Sequence, residues 1–238
     1  MSPAASEAGG GSPAWNRPAS ASGRVSPLGG RRPRRDELAQ FEGGSVDDVV
    51  HPDPWLLIVG INPGLWTAAV NAPFAAPSNR FWTSLHQAGL MPHRVDATVG
   101  LSAEDEAEMV ARGIGLTNLV NRATARAAEL SREELREGGR RLVALAQDVR
   151  PDVVAILGVT AYRDAFDQPK AQMGQQFYSG VSGALGALGA SGEPGEPVLL
   201  GGGELWVLPQ PSGLNAHAPI PVLVDWWRQV AQRRRSAR

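Results

Sequence analysis

WLLIVGINPG occupies residues 55–64. Trp55 to Val59 form an unbroken apolar run that stops at Gly60-Ile61-Asn62-Pro63-Gly64. A short apolar run closed by turn residues reads as a strand buried on both faces. Two more runs have this form, Val153-Val154-Ala155-Ile156-Leu157 before Gly158 and Leu205-Trp206-Val207-Leu208 before Pro209. Shorter strands are read at Ile114–Asn118 and Val198–Leu200.

Helical signals alternate with these runs. A polar start and a glycine stop bound a helix over 78–89. Ser102 with Asp105 resembles a capping box opening a helix to about residue 112. Ser131 with Glu134 forms a better one, starting a helix to Val149 with Pro151 beyond its end. Further helices are expected over 159–166 and 220–233. This alternation predicts an α/β fold, a three-layer α/β/α sandwich around a central, mostly parallel sheet. In such sheets ligands bind beyond the carboxyl ends of the strands. The loops 60–79 and 209–217, each following an apolar strand, should therefore open onto one crevice.

Residues 1–50 are expected to be a disordered basic tail. Its first 30 residues are rich in Ser, Ala, Gly and Pro, and Arg31-Arg32-Pro33-Arg34-Arg35 follows. That run reads as a solvated tail, or alternatively as an arm attracted to phosphate. Residues 51–238 are read as one domain carrying a glycine-rich insertion near 180–203.

Composition removes several chemistries. The absence of cysteine excludes disulfides, thiolate zinc sites, iron–sulfur clusters and a cysteine nucleophile. His51, His86, His93 and His217 show no metal-ligand spacing. A net charge of −1 means that any nucleic-acid contact must come from a local patch. No apolar stretch is long enough to span a membrane, so a cytoplasmic, nucleoid-associated protein is expected.

Familiar nucleotide and hydrolase motifs are also missing. No GxxxxGK[ST], no strand-linked GxGxxG, no GxSxG and no HExxH occurs. The two strand-end loops hold Asn62, Thr67, Phe74, Ser212, Asn215 and His217, but neither Asp nor Glu. Such a crevice is polar, neutral and unsuited to a strong general base. It could hold a flat heterocycle, with Phe74 stacking on it and Asn62 holding a water. Asn62 could equally satisfy its own turn, and Phe74 could be a core plug.

Several segments, taken in order, resemble the mismatch-specific uracil-DNA glycosylases, the group of the bacterial Mug enzymes and the thymine-DNA glycosylases. They are Gly60-Ile61-Asn62-Pro63-Gly64, Pro73-Phe74, Asn79-Arg80-Phe81-Trp82 and Pro211-Ser212-Gly213-Leu214. Leu116 to Val120 with Arg122, Gly138-Gly139-Arg140 and Ala155 to Gly158 also fit, so the resemblance covers about residues 52–230. It implies a monofunctional glycosylase without metal or cofactor, acting as a monomer on double-stranded DNA containing G:U mismatches. By position, Asn62 orients the attacking water, and Gly60, Ile61, Thr67, Phe74 and Asn118 form the base pocket. Ser212, Gly213, Leu214 and Asn215 form the DNA wedge and the contact with the widowed guanine. The chain departs from the pattern at Gln210, where bacterial members often have Asn, and at Ala216, where they can carry Arg. Asn118 is similar to the thymine-glycosylase branch, and Thr67 stands where a smaller Ser or Ala is usual. Rival readings are a glycosylase for hypoxanthine or ethenocytosine, a non-catalytic binder of mismatched or abasic DNA, and a small-molecule nucleotide-binding fold.

Overall fold

The three apolar runs are strands in the computed structural model, which describes residues 24–177 and 195–234. The strands are β1 (Leu56–Gly60), β2 (Ile114–Asn118), β3 (Val153–Leu157), β4 (Gly174–Gln175), β5 (Leu199–Leu200) and β6 (Gly203–Leu208). The described α-helices are α1 (Leu65–Val70), α2 (Phe81–Gln87), α3 (Ala103–Ala111), α4 (Arg132–Val149), α5 (Val159–Phe166) and α6 (Ile220–Ala231). Four strands run parallel in the order β2-β1-β3-β6, and the two-residue β4 and β5 pair antiparallel with β6. The predicted mostly parallel α/β/α sandwich is the observed architecture.

Alternation along the central strands builds the layers. Leu56, Ile58, Ala155, Leu157, Trp206 and Leu208 join a cluster with Phe81, Leu85 and Trp227 of α2 and α6. Leu57, Val59, Val154, Ile156, Leu205 and Val207 face the opposite way, onto Leu142 and Ala146 of α4 and Tyr162 and Phe166 of α5. Successive side chains of a strand point to opposite faces, so an all-apolar strand requires cover on both. Phe81 is fully buried, meets Trp82 and Trp227 edge-on and stacks on Phe74. Its truncation to Ala would cost about 3–5 kcal/mol.

The order of the parallel strands positions the site. From β1 the chain moves outward to β2, then crosses back over β1 to β3. The carboxyl ends of β1 and β3 therefore flank the point where the winding reverses, and a crevice opens there. Gly60, the last residue of β1, is in register with Asn118, the last of β2.

Several boundaries differ from the sequence expectation. The helix expected from residue 78 begins at Phe81, because Asn79 Oδ1 accepts the Phe81 N–H at 2.9 Å and forms a turn ahead of it. The loop 60–79 contains α1, a six-residue helix without a side-chain cap.

The largest difference concerns residues 24–49, which pack on the domain instead of extending as a disordered tail. Arg24 has a side chain only 2% exposed and pairs with Glu106 of α3. Its guanidinium also donates to the carbonyls of Asp47 and Asp48. Val49 exchanges two backbone hydrogen bonds with Leu116, pairing antiparallel with the outer edge of β2. The Arg31–Arg35 run is not a free arm either. Arg31 pairs with Glu37, Arg34 with Asp36, and Arg32 lies over the Trp66 ring. Residues 1–23 of the expected tail, and 180–194 of the glycine-rich insertion, lie outside the described residues.

Candidate active site

The loops 60–79 and 209–217 meet in a cleft of about 600 Å³ at the carboxyl ends of β1, β2 and β3. Gly60, Ile61, Asn62, Thr67, Phe74, Asn118, Ser212, Leu214 and Asn215 all line it. Gly213 lies within the same loop, packed against Ser78. A larger cleft, of about 1060 Å³, lies at the opposite, amino ends of the strands between Trp55, Arg112, Asp152 and Arg234. None of the candidate base-pocket, catalytic or wedge residues lines it.

Asn62 is held by one half of its amide. Nδ2 donates to Thr124 Oγ1 at 2.7 Å, to the Arg122 carbonyl at 2.9 Å and to the Pro63 carbonyl at 3.2 Å. Two of these neighbours are carbonyls, which only accept, so the NH₂ end must be the one turned toward them. Among the described residues nothing donates to Oδ1, leaving an oriented acceptor in a residue that lines the cleft. Asn62 is thus not a turn residue satisfying only its own backbone, since its two shorter bonds reach a segment about sixty positions away.

Phe74 adopts φ 55°, in the left-handed region where an aromatic residue is an outlier. Strain of this kind costs about 1–3 kcal/mol and persists only where its surroundings enforce it. Here the Phe74 ring lies on Phe81, with centroids 3.9 Å apart and planes 20° from parallel. Phe74 is both a partial core plug and a wall of the cleft. Its N–H makes no hydrogen bond with a described residue. Gly60 has no room for a side chain. A Cβ there would collide with the Asn118 amide oxygen and stand 3.3 Å from the Phe74 ring.

Asn118 is only 8% exposed, yet its side-chain amide has no hydrogen-bond partner among the described residues. An amide that lines a cleft without protein partners is available to a ligand. Thr67 is 6% exposed and projects from α1 into the same cleft wall.

The second loop is braced internally. Ser212 Oγ accepts from the Leu214 N–H at 3.3 Å, and Asn215 Nδ2 donates to the Gln210 carbonyl at 2.9 Å. Gly213 presses on Ser78, where an added Cβ would come within 2.6 Å of the carbonyl oxygen. The result is a stiff turn that presents Leu214 with 91% of its surface exposed. A large apolar side chain on a rigid turn beside a cleft has no packing role in the free protein.

Three residues important to this geometry escaped the sequence reading. Thr124 holds the Asn62 amide. Arg80 donates through NH1 to the carbonyls of Asn215 and Ala218, each at 2.8 Å, and through NH2 to that of Gly213 at 3.1 Å. It thereby pins the second loop to the start of α2. Arg126, exposed at the rim, is the one ionisable side chain that lines the cleft and has no ion-pair partner among the described residues. Arg80 lay within a quoted motif, but its type and position alone carried no hint of this bracing.

Chemically, the cleft offers an oriented carbonyl acceptor, a free amide, an aromatic wall and a single rim cation. Among the described residues no Asp, Glu, His or Cys lines it. Among the described residues no cluster of three or more His, Cys, Asp or Glu could hold a metal ion.

The solution NMR structure of a candidate uracil DNA glycosylase from Methanosarcina acetivorans matches with a TM-score of 0.49 and 16% identity, over 79% of this chain and 98% of that one. The model of the uracil DNA glycosylase superfamily matches residues 48–231, which include both loops and every strand of the sheet. The chain therefore belongs to the uracil DNA glycosylase superfamily and is a DNA glycosylase.

Proposed function

We propose that the protein is a monofunctional, mismatch-directed glycosylase that removes uracil from G:U pairs in duplex DNA and acts as a monomer. The observation that carries this reading is the clamped amide of Asn62, a residue that lines the cleft with Phe74 and Asn118 and whose Oδ1 has no donor among the described residues.

In this reading the target nucleotide is extruded from the helix, at an unstacking cost of a few kcal/mol that a mismatch lowers. Uracil enters the cleft and stacks on Phe74. The free Asn118 amide and the Phe74 N–H hydrogen-bond its carbonyl and imide edge. The bond from the sugar C1′ to uracil N1 breaks, and its electron pair leaves with the base as an anion. The hydrogen bonds from protein N–H groups strengthen as that charge develops, so they favour the transition state over the bound substrate. Asn62 Oδ1 accepts a hydrogen bond from a water aimed at C1′, the water oxygen bonds the cationic sugar, and its proton passes to solvent. A neutral amide cannot take that proton. Positioning and leaving-group stabilisation must supply the rate, so turnover should be slow. Leu214 fills the gap left in the base stack, and backbone groups of Gly213 to Asn215 face the widowed guanine. Ser212 Oγ–H and Arg126 supply phosphate contacts.

Thr67 sets the substrate range. Its methyl stands beside the position expected for C5 of the base, where thymine carries its own methyl. Overfilling a tight pocket costs about 1–3 kcal/mol, roughly tenfold to a hundredfold in rate. G:T should thus be processed far more slowly than G:U, and Thr67→Ala should narrow the difference. Comparable excision of both by the wild type would contradict this.

The direct test is single-turnover base release from G:U, A:U, G:T, G:hypoxanthine and G:ethenocytosine duplexes. G:U should be cut, A:U much more slowly, and Asn62→Ala should be nearly inactive. Release of another lesion with uracil left intact would keep the fold and overturn the pocket assignment. Duplex binding without any base release would favour a damage binder.

A further inference from the structure

We infer that the N-terminal segment around residues 43–46 is a functional part of the active site, acting through Asn121 as a positioning residue for Asn62. The inference rests on the catalytic role of Asn62 proposed above, and its N-terminal part, residues 43–46, precedes the span matched by the superfamily model.

The segment Asn121–Thr124 is sandwiched between two others. On its inner side, the Arg122 carbonyl and Thr124 Oγ1 receive the Asn62 amide, and the Thr124 N–H donates to the Pro63 carbonyl at 3.2 Å. On its outer side, Ala123 exchanges backbone hydrogen bonds with Gly43 and Gly44, at 2.9 and 2.7 Å. Asn121 grips Val46 from both ends of its amide. Oδ1 accepts the Val46 N–H at 3.3 Å, and Nδ2 donates to the Val46 carbonyl at 2.9 Å.

The outer segment is itself anchored on the domain. Arg24 forms its buried ion pair with Glu106 and bonds the carbonyls of Asp47 and Asp48. Asn71 accepts the Asp47 N–H at 2.9 Å, and Val49 pairs with β2. Asn71 caps the end of α1, the helix that carries Thr67. The N-terminal segment therefore spans from the far end of α1 to the segment holding Asn62. Within the catalytic loop 60–64 only the Pro63 carbonyl receives that amide, at 3.2 Å, and the two shorter contacts belong to Asn121–Thr124. If that segment relaxes, Oδ1 loses its aim. Small misplacements of a reacting group can cost about a hundredfold in rate.

The test uses the full-length protein. Asn121→Ala removes both bonds to Val46 and leaves the cleft lining untouched. Single-turnover uracil release at saturating enzyme should slow about tenfold or more, while the Kd for the G:U duplex stays within about twofold. Asn121→Ala is then added to Asn62→Ala. With the positioned amide already gone, the second substitution should slow release no further, because residues acting as one unit are not additive. A structural role elsewhere in the site would slow both backgrounds equally and would overturn the inference. So would an Asn121→Ala enzyme of wild-type rate alongside a crippled Asn62→Ala enzyme. Full activity of Asn62→Ala would refute the catalytic reading itself, and the inference with it. Should Asn121→Ala fail to fold, Asn121→Ser, too short to make both bonds, carries the same expectations.

Discussion

Replacing Asn62 with Asp would appear to improve the enzyme, since a carboxylate can take a proton from water and an amide cannot. The geometry predicts the reverse. In the present rotamer a carboxylate oxygen would replace Nδ2, 2.9 Å from the Arg122 carbonyl and 3.2 Å from the Pro63 carbonyl. Two donor–acceptor contacts become contacts between acceptors. Each lost hydrogen bond is worth about 1 kcal/mol, and each acceptor left without a partner adds about 1–3 kcal/mol where water does not reach it. Together these terms disfavour the aimed position by about 4–8 kcal/mol where water is excluded, which corresponds to roughly a 10³- to 10⁶-fold slower chemical step. Single-turnover release from a G:U duplex at neutral pH, with wild type and Asn62→Asp compared at saturating enzyme, measures this directly. An Asn62→Asp enzyme as fast as wild type, or faster, would refute the claim that amide orientation governs the rate.

Other expectations follow from the surroundings of the cleft. Arg80→Gln removes the guanidinium from the carbonyls of Gly213, Asn215 and Ala218. Release of uracil paired with guanine should then slow more than release of uracil opposite an abasic site, where no partner has to be displaced; equal losses would show that Arg80 does not serve the wedge. Arg126→Gln should lower the slope of log K against log salt for duplex binding by about 1, the signature of one lost phosphate contact. An unchanged slope would remove Arg126 from the interface. Glu134 is held down to about 2 by its hydrogen bonds from Arg122 and the Ser131 backbone. A carboxyl with a depressed folded-state pKa stabilises fully above its unfolded value of about 4.5 and loses that contribution as the pH falls toward 2. The Tm difference between wild type and Glu134→Gln should accordingly be constant near neutrality and shrink between those two values. A difference that persists at pH 2 would contradict the assignment.

The sheet was legible because parallel strands buried on both faces leave continuous apolar runs, and Trp55–Val59, Val153–Leu157 and Leu205–Leu208 are such runs. Helix α4 was legible because its capping box is written locally, Ser131 accepting from the Glu134 N–H and Glu134 from the Ser131 N–H. Helix α1 was not, since it has six residues, starts at Gly64 without a side-chain cap and carries no periodicity of its own. The attachment of residues 24–49 was hidden for a related reason. It depends on backbone pairing at Gly43, Gly44 and Val49 and on one buried arginine, none of which leaves a pattern in composition.

Asn62 and Phe74 stood out because a turn alone does not need them, and the cleft contains both. Thr124 and Arg80 did not stand out because their partners are distant in the chain. Thr124 meets Asn62 across 62 positions and Arg80 meets Gly213 across 133. Only the fold creates those contacts.

The central claim is that this cleft cleaves the glycosidic bond of mispaired uracil through a water held by Asn62. The measurement that tests it most directly is single-turnover release of uracil from one G:U duplex by wild type and by Asn62→Ala, with the Kd of each for that duplex. The wild type should release the uracil completely, though slowly, Asn62→Ala should lose nearly all release, and the Kd should be unchanged. Equal release by both enzymes, or tight binding with no release by either, would contradict it.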